Sequence, residues 1–347
     1  MFAEMEHHGT RCLHLMHDPE SGLKAIIAIH SLARGPAIGG CRFISYPNEQ
    51  SALEDALRLA RGMSYKAALA DLPHGGAKAV IIKPSQPFNR QQLMQAFGQM
   101  VDSLNGDYIT AMDSGTRVAD MDIIRSQTPW VSCTRQQGDP SPYTAKGVME
   151  AIRSTVAFHS GRRSLSGLTV AIQGVGHVGS SVAQMLHASG ARLIVADIDN
   201  SLAQRCAEQC SATIASPDEI YDAKADLFCP CGLGASLNQQ TIPRLQVSMV
   251  VGSANNQLAN DSAANALQQR GILYAPDFLV NAGGLIFVSM QYAGHSEAAI
   301  EQKIQQIGTM LQTLYLRSLS SRLSPHLLAL EQARALLKHA EQLHTAA

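Results

Sequence analysis

The sequence predicts an α/β protein of two domains, one of them built on a doubly wound parallel sheet. Short β-branched, apolar runs alternate with segments of helical period along most of the chain. A block of turn residues, Gln136-Gln-Gly-Asp-Pro-Ser-Pro142, interrupts both periodicities. The 347 residues also exceed the usual single domain of about 150. The expected layout is an α/β domain over residues 1–135, the parallel-sheet domain over 136–295 with a cleft between the two, and C-terminal helices over 296–347. These last are expected to pack back on the first domain or to form a subunit contact.

In chain order, Lys24–His30 and Ala79–Lys83 read as buried strands. Between them Ser51-Ala-Leu-Glu54 has the form of a capping box. Leu53, Ala56, Leu57, Ala60 and Ser64 follow at helical spacing, which predicts a helix from Ser51 towards Lys66. Another helix starts after Asn89, with Leu93, Phe97, Met100, Val101 and Leu104 inward, and Tyr108–Ala111 is the next strand. Beyond the turn block, strand Leu168–Gln173, a glycine turn, a helix through Met185 and Leu186, and strand Leu193–Asp197 make one βαβ unit. Asp226–Cys229, Ser248–Gly252 and Gly271–Tyr274 are further strands, and 297–318 and 326–344 are amphipathic helices.

Composition narrows the function classes. With 46% hydrophobic residues the chain can build a core, which excludes disorder. Lys plus Arg number 27 against 28 Asp plus Glu, so the electrostatic attraction that draws proteins to nucleic acid or anionic membrane is missing. The expected partner is a small molecule, with no nucleic acid and no membrane. Two uncharged stretches, Leu168–Ala191 and Phe278–Ser296, are broken by glycines and polar residues and do not read as membrane spans. Met1–Thr10 carries Glu4, Glu6, His7 and His8 where a secretion signal would be basic and then apolar. The seven cysteines are an odd number, and Cys229 and Cys231 have no second pair to complete a zinc set. No metal is expected, the cysteines are expected to be structural, and a reducing cytoplasm is the expected compartment.

Gly174-Val175-Gly176-His177-Val178-Gly179 has the G-x-G-x-x-G form directly after a strand and at the start of a helix, with Asp197 ending the next strand about 20 residues on. Gly174 permits the tight turn, Gly176 lets backbone approach a pyrophosphate, and Gly179 lets helix and strand pack closely. The amino end of the helix then faces the phosphates. Asp197 accepts from the adenosine ribose 2′-hydroxyl and repels a 2′-phosphate, and Asp199 adds negative charge, so NAD is expected over NADP. The second domain thus reads as a Rossmann-type NAD-binding domain. In the first, Lys66 follows the helix bearing Arg58 and Arg61, and alone it reads as a surface lysine. Lys78 ends His74-Gly-Gly-Ala-Lys78 just before an apolar strand, where lost hydration would lower its pKa and make it a general base. Asp113 follows a strand and precedes a glycine turn, either as a site carboxylate or as a turn or capping residue.

Over about Lys24 to Met290 the chain resembles the glutamate, leucine, phenylalanine and valine dehydrogenase superfamily, closest to its leucine and phenylalanine branch. The resemblance is carried by Gly35-Pro-Ala-Ile-Gly-Gly40 with Arg42, Ala60-Arg-Gly-Met-Ser-Tyr-Lys66, Gly75-Gly-Ala-Lys78, Gly138-Asp-Pro-Ser-Pro142, the turn Gly174 to Gly179, Gly252-Ser-Ala-Asn-Asn-Gln257 and Asn281-Ala-Gly-Gly284. It implies a two-domain amino-acid dehydrogenase that oxidatively deaminates an L-amino acid to a 2-oxo acid and ammonia with NAD, reversibly, and that forms a homo-oligomer. By motif position Lys66 would hold the substrate carboxylate, Lys78 would be the general base and Asp113 would move protons at the amine and imine. Gly40 would lie beside the substrate, and Thr144 and Asn255 near the nicotinamide and substrate. The side-chain pocket maps to Ile38, Ala111, Leu285 and Val288, all apolar, which implies a nonpolar substrate. Ala111 looks like the leucine type and Leu285 like the phenylalanine type, with the balance towards branched chains. Met112, Ala77, Cys41, Phe287 and Cys229 depart from the usual family residues and bear on substrate range and on the base. The alternatives are a relative acting on an unusual amino acid or imine, and a cofactor-binding sensor without turnover.

Overall fold

The computed structural model describes residues 1–232 and 234–345. Their contacts group into two units: Met1–Asp139 with Val288–His295 and residues 333–345, and Pro140–Phe287 with Ser296–Gln332. The first unit opens with helix α1 (Phe2–His8). Its five-stranded mixed sheet has the order β1-β2-β4-β3-β5, built from β1 (Cys12–Asp18), β2 (Leu23–Ser31), β3 (Ala37–Ile44), β4 (Gly75–Ile82) and β5 (Tyr108–Met112). Strands β3, β4 and β5 are mutually parallel, and β2 runs antiparallel to both β4 and β1.

Helix α2 (Glu49–Leu69) covers this sheet by packing Ala52, Leu53, Ala56, Leu57 and Ala60 on Ile26, Ala28 and Val80. Its start corrects the expected capping box. Asn48 caps the helix, its side-chain oxygen accepting the Ser51 N–H at 2.8 Å, and Ser51 is already inside the first turn. Asn is among the strongest caps, and it precedes the residues whose spacing is visible as a helix. The helix also continues past Lys66, which therefore sits in the last turn and is buried rather than displayed on a following loop. Helices α3 (Arg90–Asp102), capped by Asn89, and α4 (Val118–Arg125) complete the unit.

The sequence expectation has no counterpart of β1 or β8, and two further strands differ from it because glycines hide them. β3 carries Gly39 and Gly40 mid-strand, where residues without side chains usually argue against a strand. A Cβ on Gly39 would stand 1.8 Å from the Ala77 carbonyl oxygen, so only glycine lets β3 and β4 approach this closely. β4 begins at Gly75, ahead of the expected Ala79, because a Cβ on Gly76 would stand 2.1 Å from the Ser64 backbone nitrogen of α2. Lys78 is therefore inside β4 and not in front of it.

The second unit opens with α5 (Ser141–Ser160) and then alternates β6 (Thr169–Gln173), α6 (His177–Ala188), β7 (Arg192–Ala196), α7 (Asn200–Cys210), β8 (Thr213–Ile214), β9 (Leu227–Pro230), β10 (Met249–Val250), α8 (Asp261–Gln269) and β11 (Leu273–Tyr274). All six strands are parallel, in the order β11-β10-β9-β6-β7-β8. The chain moves outward from β6 on one side and then from β9 on the other. The carboxyl ends of β6 and β9 thus form the reversal point where doubly wound sheets bind ligands. Helices α9 (Asp277–Val280), α10 (Gly283–Tyr292), α11 (Glu297–Ser321) and α12 (Pro325–Thr345) follow, and α11 packs along α5, with Ser154 Oγ donating to the Gly308 carbonyl at 2.7 Å. Among the described residues no helix is long and apolar enough to cross a membrane.

Gly76→Ala forces a methyl into the backbone of α2, and overpacking of this kind costs about 1 to 3 kcal/mol. Urea unfolding of the variant is expected to show that loss, and a midpoint equal to the parent's would refute the close approach.

Candidate active site

The register of the first sheet assembles the candidate residues in rows. Gly40 pairs with Ala111 across β3 and β5, and the β3/β4 register, fixed by Ile38 with Gly76 and Cys41 with Ala79, puts Gly40 beside Lys78. Alternate residues of a strand share a face. Ile38, Gly40 and Arg42 therefore lie on one face with Gly76, Lys78, Ala111 and Asp113, the face that α2 covers. Ile38 is fully buried, and Ala111 is 5% and Lys78 6% exposed.

At the carboxyl end of β5, Asp113 turns back over Gly40. A Cβ on Gly40 would stand 2.8 Å from the Asp113 Cβ and 2.9 Å from the Met112 carbonyl oxygen, so the missing side chain makes way for the end of β5. Asp113 Oδ2 lies 2.6 Å from Lys78 Nζ and 3.3 Å from Arg42 Nε. Arg42 Nη1 donates to Asp55 Oδ2 at 2.8 Å, and the Tyr46 hydroxyl donates to that same oxygen at 2.6 Å. Charges thus alternate from Lys78 through Asp113 and Arg42 to Asp55, as burial requires. Burial pushes the Asp113 carboxyl up, but Lys78 and Arg42 outweigh it and hold the group well below the usual carboxylate range. Burial also works against the Arg42 charge, and Asp113 and Asp55 more than restore it. Thr116 Oγ1 accepts the Asp113 N–H at 2.9 Å and fixes the turn that aims the carboxylate.

Sequence spacing assigns Arg42, Asp55 and Tyr46 no role, and the signal available was only that Arg42 stands two positions from Gly40 on the same strand face. Asp113 takes part in its own turn through Ser114 and Thr116, and its side chain also reaches the neighbouring strands. Its carboxylate engages Lys78 and Arg42 and caps no helix.

In the second unit each turn glycine has its own local reason. Gly174 has φ +89°, and a Cβ there would stand 2.6 Å from the Gly232 nitrogen. A Cβ on Gly179 would stand 2.0 Å from the Gly174 carbonyl oxygen, so the helix sits directly on the turn. Among the described residues Gly176, in contrast, has no atom within 4 Å of that position. Gly176 is also the N-cap of α6 and makes no side-chain cap, whereas Asn48, Asn89, Asp199, Asn260 and Ser296 cap their helices. His177 is exposed and Val178 half-buried in the first turn, and Val175 is buried. Asp197 stands just beyond β7, with Oδ2 accepting the Val175 N–H at 2.8 Å and Oδ1 the Asp199 N–H at 2.9 Å. Open backbone, uncapped N–H groups and an acid tied to the turn fit a dinucleotide.

Beyond β10, the Asn281 amide donates to Asn255 Oδ1 at 3.0 Å and to the Ser253 carbonyl at 3.1 Å, joining the loops of both asparagines. Thr144 lies in the first turns of α5, where a Cβ on Gly284 would stand 2.4 Å from its Oγ1. Leu285 and Val288 are buried on α10, though contacts assign Leu285 to the second unit and Val288 to the first. Phe287 stacks on Tyr143 at 4.1 Å between ring centres. Among the described residues no group of three or more His, Cys, Asp or Glu is arranged to hold a metal.

Comparison with known proteins agrees with these arrangements. The family described as Glu/Leu/Phe/Val dehydrogenase, dimerisation domain, matches residues 11–130, and Glutamate/Leucine/Phenylalanine/Valine dehydrogenase matches residues 195–321. The leucine dehydrogenase of Thermoactinomyces intermedius is 44% identical over 311 residues, 88% of this chain and 85% of that one. The phenylalanine dehydrogenase of Lysinibacillus sphaericus is 47% identical over 299 residues, 84% of this chain and 78% of that one. The crystal structure of L-tryptophan dehydrogenase from Nostoc punctiforme superimposes with a TM-score of 0.81 at 37% identity, covering 99% of this chain and all of that one.

The Asp113 network has a pH signature. An acid held down in the folded state adds stability that is complete above its unfolded value, about 3.9, and is lost as pH falls towards the folded one. Asp113→Asn is expected to cost about 3 kcal/mol at neutral pH by leaving Lys78 and Arg42 uncompensated. It should also flatten the loss of stability below about pH 4 in urea unfolding. Parallel acid limbs for parent and variant would refute the network.

Proposed function

The chain belongs to the glutamate/leucine/phenylalanine/valine dehydrogenase family, and on that premise we propose that it carries out the reversible oxidative deamination of a nonpolar L-amino acid to a 2-oxo acid and ammonia. The observation that carries this reading is the buried Lys78–Asp113 pair at 2.6 Å, set beside an apolar wall of Ile38 and Ala111. A pure binding protein has no need of a buried lysine–carboxylate pair there.

The residue roles follow from the chemistry. Lys66, buried at the end of α2, holds the substrate carboxylate, and Gly40, paired across the sheet with Ala111, lies beside the substrate. Lys78 takes the proton of the water that adds to the imine carbon, and Asp113, charged and in contact with it, passes the proton to or from the substrate nitrogen. By motif position Ile38, Ala111, Leu285 and Val288 are the residues assigned to the substrate side chain. The relatives' names, leucine, phenylalanine and L-tryptophan dehydrogenase, all specify nonpolar side chains and support that pocket assignment.

Family members are nicotinamide-dinucleotide dehydrogenases, and the bound dinucleotide supplies the hydride acceptor. The second unit is the proposed dinucleotide domain, with Gly174, Val175, Gly176, His177, Val178 and Gly179 at the pyrophosphate, Asp197 at the adenosine ribose, and Thr144 and Asn255 at the nicotinamide end. NAD is the proposed form, because the Asp197 carboxylate, fixed by two backbone N–H groups, repels a 2′-phosphate. Homo-oligomer formation is part of the proposal, supported by the dimerisation description of the matched N-terminal family.

Lys78→Ala is expected to lower kcat by about 10³-fold while leaving NADH affinity nearly unchanged, a loss in the range of a positioned acid or base. Stopped-flow rates and NADH fluorescence titration check this, and a rate near the parent's refutes the assignment. A spectrophotometric panel of L-leucine, L-valine, L-phenylalanine and L-tryptophan with NAD and with NADP should show turnover preferring NAD, and no turnover on any of them would overturn the reading. Ala111→Gly is expected to move kcat/KM towards the bulkier substrates, within the roughly 10- to 200-fold range of a small change in an apolar pocket. An unchanged ranking would remove Ala111 from the pocket.

A further inference from the structure

Cys229 and Cys231 stand outside the chemistry above, yet they meet the dinucleotide turn. Cys229 is buried in β9 and pairs with Ile172 of β6, and Cys231 follows at the carboxyl end of the strand, half-buried. Their sulfurs are 3.5 Å apart. Cys231 donates its N–H to the Gln173 carbonyl at 2.6 Å, immediately before Gly174. A Cβ on Gly179 would stand 3.1 Å from the Cys231 Cβ, and one on Gly174 would stand 2.9 Å from the Cys231 carbonyl carbon. Cys231 is therefore, with Gly232, part of the chain that crowds the first and third turn glycines.

We propose that Cys229 and Cys231 are a modification site, a thiol pair that a peroxide oxidises to a disulfide at the back of the dinucleotide-binding turn. The Cys231 thiolate attacks one peroxide oxygen, an S–O bond forms as the O–O bond breaks, and hydroxide leaves. The Cys229 thiol then gives up its proton, its sulfur forms the S–S bond as the S–O bond breaks, and the sulfenic oxygen departs as water. Overall two thiols lose two electrons and two protons, and the peroxide becomes two waters.

The two sulfurs are unequal in the way this order needs. The hydrogen bond from Cys229 favours the Cys231 thiolate, burial opposes it, and Ser253 adds further hydrogen bonds that favour it. Cys229 is shifted the opposite way, first by Cys231 and then by burial, so it remains the resolving thiol. Cys206 and Cys210 also face each other on α7, but both are buried and lie away from the turn residues named here. Closing the sulfur separation to about 2.05 Å pulls on Cys231 and thereby on the glycine turn it supports.

The effect on cofactor rests on the dinucleotide reading, whereas the oxidation does not. Reduced protein is treated with hydrogen peroxide and analysed by peptide mass mapping, with NADH binding followed by fluorescence before and after dithiothreitol. The expected result is loss of two hydrogens confined to the peptide holding both residues, together with NADH binding weakened by about tenfold and restored by dithiothreitol. Cys229→Ala should instead give a Cys231 sulfenic acid that dimedone traps, and Cys231→Ser should leave Cys229 a thiol. Cys231 remaining a thiol while other cysteines oxidise would overturn the site, and unchanged NADH affinity in the disulfide form would overturn its link to the turn. Disulfide formation in a protein whose reduced form binds no NADH would leave the site standing and overturn the dinucleotide reading.

Discussion

The Asp113 carboxylate is the constraint on which the first unit turns. It is buried against Lys78 and Arg42, and a charge removed from water at that depth is tolerated only when its partners are at contact distance and themselves compensated. Meeting that condition needs three strands in fixed register. β4 supplies the lysine, β5 delivers the aspartate from its end, and β3 supplies both the arginine and, at Gly40, the absence of a side chain between them. Helix α2 then closes the face and contributes Asp55, so one helix serves as apolar cover and as the last charge in the series.

The second unit solves its own problem by the same means, omission of side chains. Gly174 and Gly179 are occupied spaces, filled by neighbouring backbone, whereas Gly176 meets no atom of the described residues within 4 Å. Two of the glycines thus serve packing, and Asp197 ties the turn to the end of the next strand through the Val175 N–H. Cys231 stands behind this arrangement, its N–H donating to the Gln173 carbonyl and its atoms near both Gly174 and Gly179.

Much of this was legible in the linear sequence. The alternation of strands and helices, the G-x-G-x-x-G turn with its acid, the helix following Asn89 and the motif lysines all depend on neighbours within a few residues, where periodicity and turn chemistry act. What escaped is of another kind. β3 and the start of β4 carry paired glycines that contradict strand propensity, and their explanation lies in Ala77 and Ser64, reached only through folding. The start of α2 was misread because Ser51-Ala-Leu-Glu54 satisfies a local pattern that Asn48, one turn earlier, satisfies first.

The sequence alone determined the α/β class and the glycine turn between strand and helix, because each is written in residues close together along the chain, whereas the pocket positions and the roles of Lys78 and Asp113 came from the family resemblance. Only the tertiary structure decided that Lys78 lies within its strand, that Asp113 meets both Lys78 and Arg42, and that Asp55 and Tyr46 complete the series. The physical reason is that charge pairing is settled by distance in space. Residues 78 and 113, far apart in the chain, become contact neighbours only when β3 is laid between their strands with a glycine at the crossing.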